Sequence, residues 1–155
     1  MRFLTIVRIA RRARTIEDMP ELVDRLLPLW TGAVADREEA EADFRAVYAD
    51  PVVVNGVDMS VGQLVQRAAL LQDAFADLSM DVLDVVETAD RLVLAFLMRG
   101  RHVGTFASAV GDIAPTHREI EVRTIDVLTI EDGKITRIWV VADDLGLLRQ
   151  LGALS

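Results

Sequence analysis

The chain has 155 residues, 52% of them hydrophobic and 27% charged, the size and composition of one globular domain with a full core, which excludes disorder, collagen-like repeats and solenoids. It has no Cys, so disulfides, thiolate nucleophiles, iron–sulfur clusters and thiolate zinc sites fall away, and His102 and His117, its only two His, leave little from which to build a metal site. A net charge of −8 repels phosphate backbones, so nucleic acid is not expected as a partner.

Residues 1–14 hold five Arg and no acid, so all 25 Asp and Glu fall in the remainder. This segment reads as a basic N-terminal arm ahead of a single domain over residues 15–155. It is an anchor for a membrane or partner, a tail packed on the acidic body, or a stretch ahead of a usual start at Met19. Phe3 to Val7 is too short and too soon interrupted by Arg8 for a signal peptide. No stretch approaches the roughly 18 uninterrupted apolar residues of a membrane span, and the expectation is a soluble, cytoplasmic protein that does not bind membranes.

Thr15 with Asp18 resembles a capping box, and Leu22, Leu26, Leu27, Leu29 and Trp30 then recur near helical spacing, with Pro28 expected to kink or end that helix early. A second helix is expected from about Arg37 to Tyr48, stopping at Asp50-Pro51. Val52 to Val54 is a short β-branched run closed by Asn55-Gly56, a turn signal. Ser60 is a plausible N-cap for a third helix to about Ala76. The period then changes to that of strands: Met80 to Glu87, Arg91 to Val103, Arg118 to Glu131 and Lys134 to Ala142. Asp132-Gly133 is a hairpin turn of the strongest short-range kind, whereas residues 107–117 are too long for one. A last short helix is expected over Leu145 to Leu151, stopped by Gly152. Helices followed by antiparallel strands give an α+β fold, a curved sheet wrapped on N-terminal helices.

Strand parity places Phe96, Met98 and His102 on one row, Thr124, Asp126 and Leu128 on another, and Arg137, Trp139, Val141 and Asp143 on a third. Both faces of the last strand carry apolar residues, so the sheet needs a cover on each side. Helices supply one, and a second copy of the chain is the simplest other, so a homodimer through the sheet is expected.

The segments YADPVVVNG (48–56), FADLSMDVLDVVETADRLVLAF (75–96), GRHVGTF (100–106) and IAPTHREIEVRTIDVLTIEDGKITRIWVVADDLGLLRQLGAL (113–154) resemble the SnoaL-like polyketide cyclase family of the NTF2-like superfamily. The last is the most specific, through IEDGKI, the Trp after it and the D..GLL.QLG ending. The resemblance runs from about residue 38 to the C-terminus. It implies a cone-shaped α+β barrel around one deep apolar pocket, dimerised through the sheet. It also implies an intramolecular aldol condensation without metal or cofactor, on an apolar carbonyl compound.

That chemistry needs a carboxylate to take a proton from carbon next to a carbonyl, and hydrogen-bond donors where enolate charge develops. His102 matches the family's His within G.H.G, Asp143 the Asp four residues after the Trp, and Asp126 the Asp of the penultimate strand; these three are the candidate catalytic residues. Each also has a plain structural role open to it: a buried His bonded to a backbone carbonyl, an Asp143 capping the last helix, an Asp126 paired with Arg123 or Arg137. The expected substrate pocket is lined by Phe96, Met98, Trp139 and Val141, with His102 and at least one of the carboxylates at its polar end. Val140 and Val141 depart from the polar residue that many family members carry after the Trp. Val141 also replaces an Asp that an epoxide hydrolase of the limonene type would require, which leaves that activity a minor alternative. Beside the enzyme stand two other readings: a non-catalytic module binding a small apolar ligand, and a dimeric scaffold whose pocket its own side chains fill.

Overall fold

The computed structural model describes residues 20–154; the basic arm over residues 1–14 and the Thr15 and Asp18 pair lie outside them. The described elements run α1 (Glu21–Thr31), α2 (Arg37–Val47), β1 (Tyr48–Val54), β2 (Val57–Met59), α3 (Val61–Ala74), β3 (Phe75–Glu87), β4 (Arg91–His102), β5 (Phe106–Ser108), β6 (Gly111–Ile113), β7 (Glu119–Glu131), β8 (Lys134–Ala142) and α4 (Asp144–Gln150).

Local chemistry explains most boundaries. Pro28 does not end α1, because it lies in the last turn, where Gly32 N–H still reaches the Pro28 carbonyl at 2.8 Å. Asp36 caps α2 by accepting from Glu39 N–H at 2.9 Å. Helix α2 ends at Val47, one residue short of the expected Tyr48, and β1 follows at once, with Asp50 held extended ahead of Pro51. Ser60 and Gln63 form a reciprocal capping box on α3: Gln63 N–H donates to Ser60 Oγ and Ser60 N–H to Gln63 Oε1.

Six strands form one sheet in the order β2-β1-β8-β7-β4-β3, and β5 and β6 make a separate hairpin in the connection expected to be too long for a tight one. The fold is α+β and NTF2-like, with two corrections. The β1–β8 pair is parallel, so the sheet is mixed. It is also open, with β2 and β3 as edges, and does not close into a barrel. Register shifts between Ala76 and Ser79 and between Val82 and Asp84 give β3 its bends, the local kinks by which a sheet curves.

The inner face is the core. On β4 the buried row is Leu92, Leu94, Phe96, Met98, Gly100 and His102; on β7 it includes Ile120, Val122, Thr124 and Leu128. On β8 parity fails. Thr129 pairs with Arg137 but the next residue, Ile130, pairs with Ile135, so Thr136 is an extra residue in a β-bulge. One extra residue inverts every side chain after it. Ile135 and Ile138 therefore both lie buried, Val140 and Ala142 follow inward, and Trp139 and Val141 are exposed on the outer face. Val86 and Ile125 are exposed on that face too.

Candidate active site

Between α1, α3, α4 and the inner face of the sheet lies a cavity of about 300 Å³. Its walls are Leu26, Leu64, Phe75, Phe96, Met98, Leu128 and other apolar side chains, interrupted by five polar residues: Tyr48, Arg67, Thr124, Asp126 and Asp144. Arg67 and Asp144 are solvent-exposed, which marks the end where the cavity meets water. Tyr48, Thr124 and Asp126 lie deeper.

Strand β7 puts Asp126 there. It pairs with Leu94 on β4 and Val140 on β8, both directed inward, so period-two alternation delivers a carboxylate into an apolar row. No Arg meets it: Oδ1 is buried and has no hydrogen-bond partner among the described residues. Burial pushes the Asp126 carboxyl up to about 7, because the charged form loses its hydration with nothing in exchange.

Tyr48 opens β1 and is 3% exposed. Its ring stacks on Phe44 at 5.7 Å between centroids, Phe44 in turn meets Trp30 edge-on at 5.6 Å, and Trp30 Nε1–H donates to Tyr48 Oη at 2.9 Å. Burial pushes the Tyr48 phenol up, the Trp30 hydrogen bond pulls it back, and the Asp126 charge adds to the rise. Tyr48 keeps its proton at neutral pH.

The structure separates the sequence-predicted residues. Phe96, Met98 and Asp126 line the cavity. Trp139 and Val141 do not, because the β8 bulge turns them outward; Ile138, Val140 and Ala142 take their place. Asp143 is exposed and caps α4, its Oδ1 accepting from Gly146 N–H at 2.8 Å. His102 is inward and fully buried but lies behind the cavity wall: its ring packs at 5.3 Å on Phe75, which does line the cavity. Its Nδ1 accepts from Thr116 N–H at 3.1 Å and sits 3.0 Å from Thr116 Oγ1, so the ring proton is on Nε2. Burial lowers the His102 pKa, and the neutral ring fastens the segment after β4 to the core. Arg99 and Arg101 are likewise away from the cavity, paired with Asp81 and Glu121 and with Asp77. Sequence reasoning missed Tyr48, Trp30 and Thr124. Thr124 shared a parity row with Asp126, whereas the meeting of Tyr48 and Trp30 depends on how α1 packs and has no local signal.

Among the described residues no group of three or more His, Cys, Asp or Glu could hold a metal ion, and no helix is long and apolar enough to cross a membrane.

Comparison with known proteins bears on the whole arrangement. No curated protein matches the chain. Among solved structures, TsrD from Streptomyces laurentii is similar at 26% identity and a TM-score of 0.72, over 86% of this chain and 93% of that one. A SnoaL-like protein from Jannaschia sp. is similar at 19% identity and 0.71, over 87% and 92%, and a SnoaL-like polyketide cyclase from Agrobacterium tumefaciens at 20% and 0.66, over 86% and 100%. The family model for SnoaL-like polyketide cyclases matches residues 26–151, a span that holds every wall of the cavity, and the chain belongs to that family.

Proposed function

We propose that the chain is a cofactor-independent enzyme that moves a proton in an apolar carbonyl compound held in the cavity, in an intramolecular aldol cyclisation, with Asp126 as the general base. The observation that carries this reading is the position of Asp126: an unpaired carboxylate, its pKa raised by burial to about 7, on the wall of an apolar cavity. A base with a pKa near the working pH is ionised in useful amount yet strong enough to take a proton from carbon.

The ionised Asp126 removes a proton from carbon next to one carbonyl, and the C–H electron pair becomes the enolate. That carbon then forms a bond to a second carbonyl carbon of the same molecule. The π pair of that carbonyl moves to its oxygen, which takes the proton back from Asp126. Nothing is oxidised or reduced and the enzyme ends as it began. Fused or linked apolar ketones match the cavity, whose polar lining is confined to a few points. His102 and Asp143 support the frame in this reading, as wall fastening and helix cap.

The test is hydrogen exchange in D₂O with 1-tetralone, an apolar bicyclic ketone, followed by NMR at the carbon next to the carbonyl. The protein should accelerate exchange, the rate should rise with pH through about 7, and Asp126→Asn should lower it by about a hundredfold or more. Equal rates for the two proteins would remove Asp126 as base. Tight binding of tetralone without any exchange would favour a binding module instead.

A further inference from the structure

Resting on the reading of the cavity as the reaction site, the geometry points to Tyr48 as the hydrogen-bond donor that stabilises the enolate oxygen, with Trp30 as the residue that positions it. Tyr48 lines the cavity, as does Asp126, and its hydroxyl is the polar end of the ring. It accepts from Trp30 Nε1–H at 2.9 Å and, among the described residues, donates to no other group. A buried hydroxyl whose lone pair is engaged has one use left for its proton: an acceptor placed in the cavity.

Three features make this hydroxyl suited to a developing oxyanion. It remains protonated at neutral pH, since burial pushes the phenol up. The Trp30 N–H draws electron density from Oη and so polarises the O–H, the cooperative effect of a hydrogen-bond chain in a low-dielectric site. The ring is held between Phe44 and the Trp30 contact, so the donor is fixed before charge develops and needs no reorganisation at the moment of reaction. Asp126 and Tyr48 line the same cavity of about 300 Å³, so one bound carbonyl compound can meet both groups, its acidic carbon at Asp126 and its oxygen at Tyr48. This geometry selects substrates whose carbonyl oxygen and acidic carbon are adjacent and share one end of an otherwise apolar body.

The probe for the donor is 2,4-dinitrophenolate, an aromatic oxyanion that stays ionised from about pH 6 to about pH 8 and resembles an enolate in charge and shape. Its affinity, measured by titration, should rise as the pH falls through about 7 and Asp126 loses its charge, and Asp126→Asn should flatten that profile. Tyr48→Phe keeps the ring and should weaken binding at pH 6 by about tenfold or more, the usual effect of losing a hydrogen bond to a charged group. Trp30→Phe should weaken it less; Trp30 also lines the cavity, so a small direct effect remains, but most of its effect should vanish in the Tyr48→Phe background, because the hydrogen-bond part acts through Tyr48. Unchanged affinity in Tyr48→Phe, with the profile still sensitive to Asp126→Asn, overturns the donor and leaves the cavity as the site. A wild type that does not bind the probe, or a profile indifferent to Asp126→Asn, overturns the site and the donor together. Should Tyr48→Phe not fold, unchanged affinity in Trp30→Phe overturns the proposal on its own.

Discussion

A single methylene-linked carboxylate decides the pH behaviour of this protein as well as its chemistry. Asp126 has its pKa raised from 3.8 to about 7 in the folded chain, so between those values the folded state binds a proton that the unfolded state has already lost. Its contribution is neutral below about pH 4, grows into a penalty between about pH 4 and about pH 7, and is constant above that, at most about 4 kcal/mol. Urea unfolding at pH 4 and pH 8 should show a pH-dependent loss in the wild type that Asp126→Asn lacks; parallel behaviour of the two proteins would mean that the carboxyl is not desolvated. His102 has the opposite sign. Burial lowers its pKa from 6.5, so the unfolded state takes up a proton first and stability falls as pH drops below about 6.5. His102→Gln should show a shallower acid limb in the same series. Asp126 was legible in the sequence because β7 keeps an unbroken period of two from Glu119 to Asp126. For His102, parity gave the correct face but no depth along the strand, and depth is what puts Phe75 between the ring and the cavity.

Elements show where parity reasoning stops. The long strands announce themselves by β-branched runs and turn residues, although β3 begins at Phe75, inside the expected third helix and ahead of the expected Met80; β8 runs from Lys134 to Ala142, the predicted bounds. The error lay inside it, at the extra residue Thr136, since a bulge carries no compositional mark when no Gly or Pro is present. The β5–β6 hairpin was missed because three-residue strands are too short to show a period. Its root is nevertheless tightly constrained. Val103 and Gly104 N–H both donate to the Ala74 carbonyl, at 2.9 and 3.0 Å, and a Cβ built on Gly104 would lie 2.1 Å from the Asp73 carbonyl oxygen. Two backbones meet there, and neither can yield as a side-chain tip does. Gly104→Ala should therefore cost about 1–3 kcal/mol, read as a lowered melting temperature, and should loosen Phe106, which packs on Phe75 at 5.3 Å and lines the cavity. An unchanged melting temperature would show that the α3–β3 junction moves freely.

At the scale of the whole molecule, the bulge that spoils the parity of β8 also supplies the sheet with a second apolar face. Trp139 and Val141, turned out of the cavity, lie across from Val127 and Ile125 of β7, with Val86 farther along on β3; Trp139 is 49% and Val141 73% exposed. A contiguous apolar patch of this kind on a sheet marks a protein contact. The same strands carry cavity residues on their other side, so covering the patch with a second copy would hold the wall behind Asp126. We expect a homodimer through this face. Light scattering at tens of micromolar protein should give twice 17.1 kDa, and a mass of one chain would dispose of the idea. Trp139→Glu with Val141→Glu should give the monomer, since two charges of the same sign would meet their copies across the two-fold axis. Because only association stabilises by mass action, the wild-type melting temperature should rise with protein concentration and that of the double variant should not. If the variant remains dimeric, the contact lies elsewhere on the molecule and the outer face is not its interface.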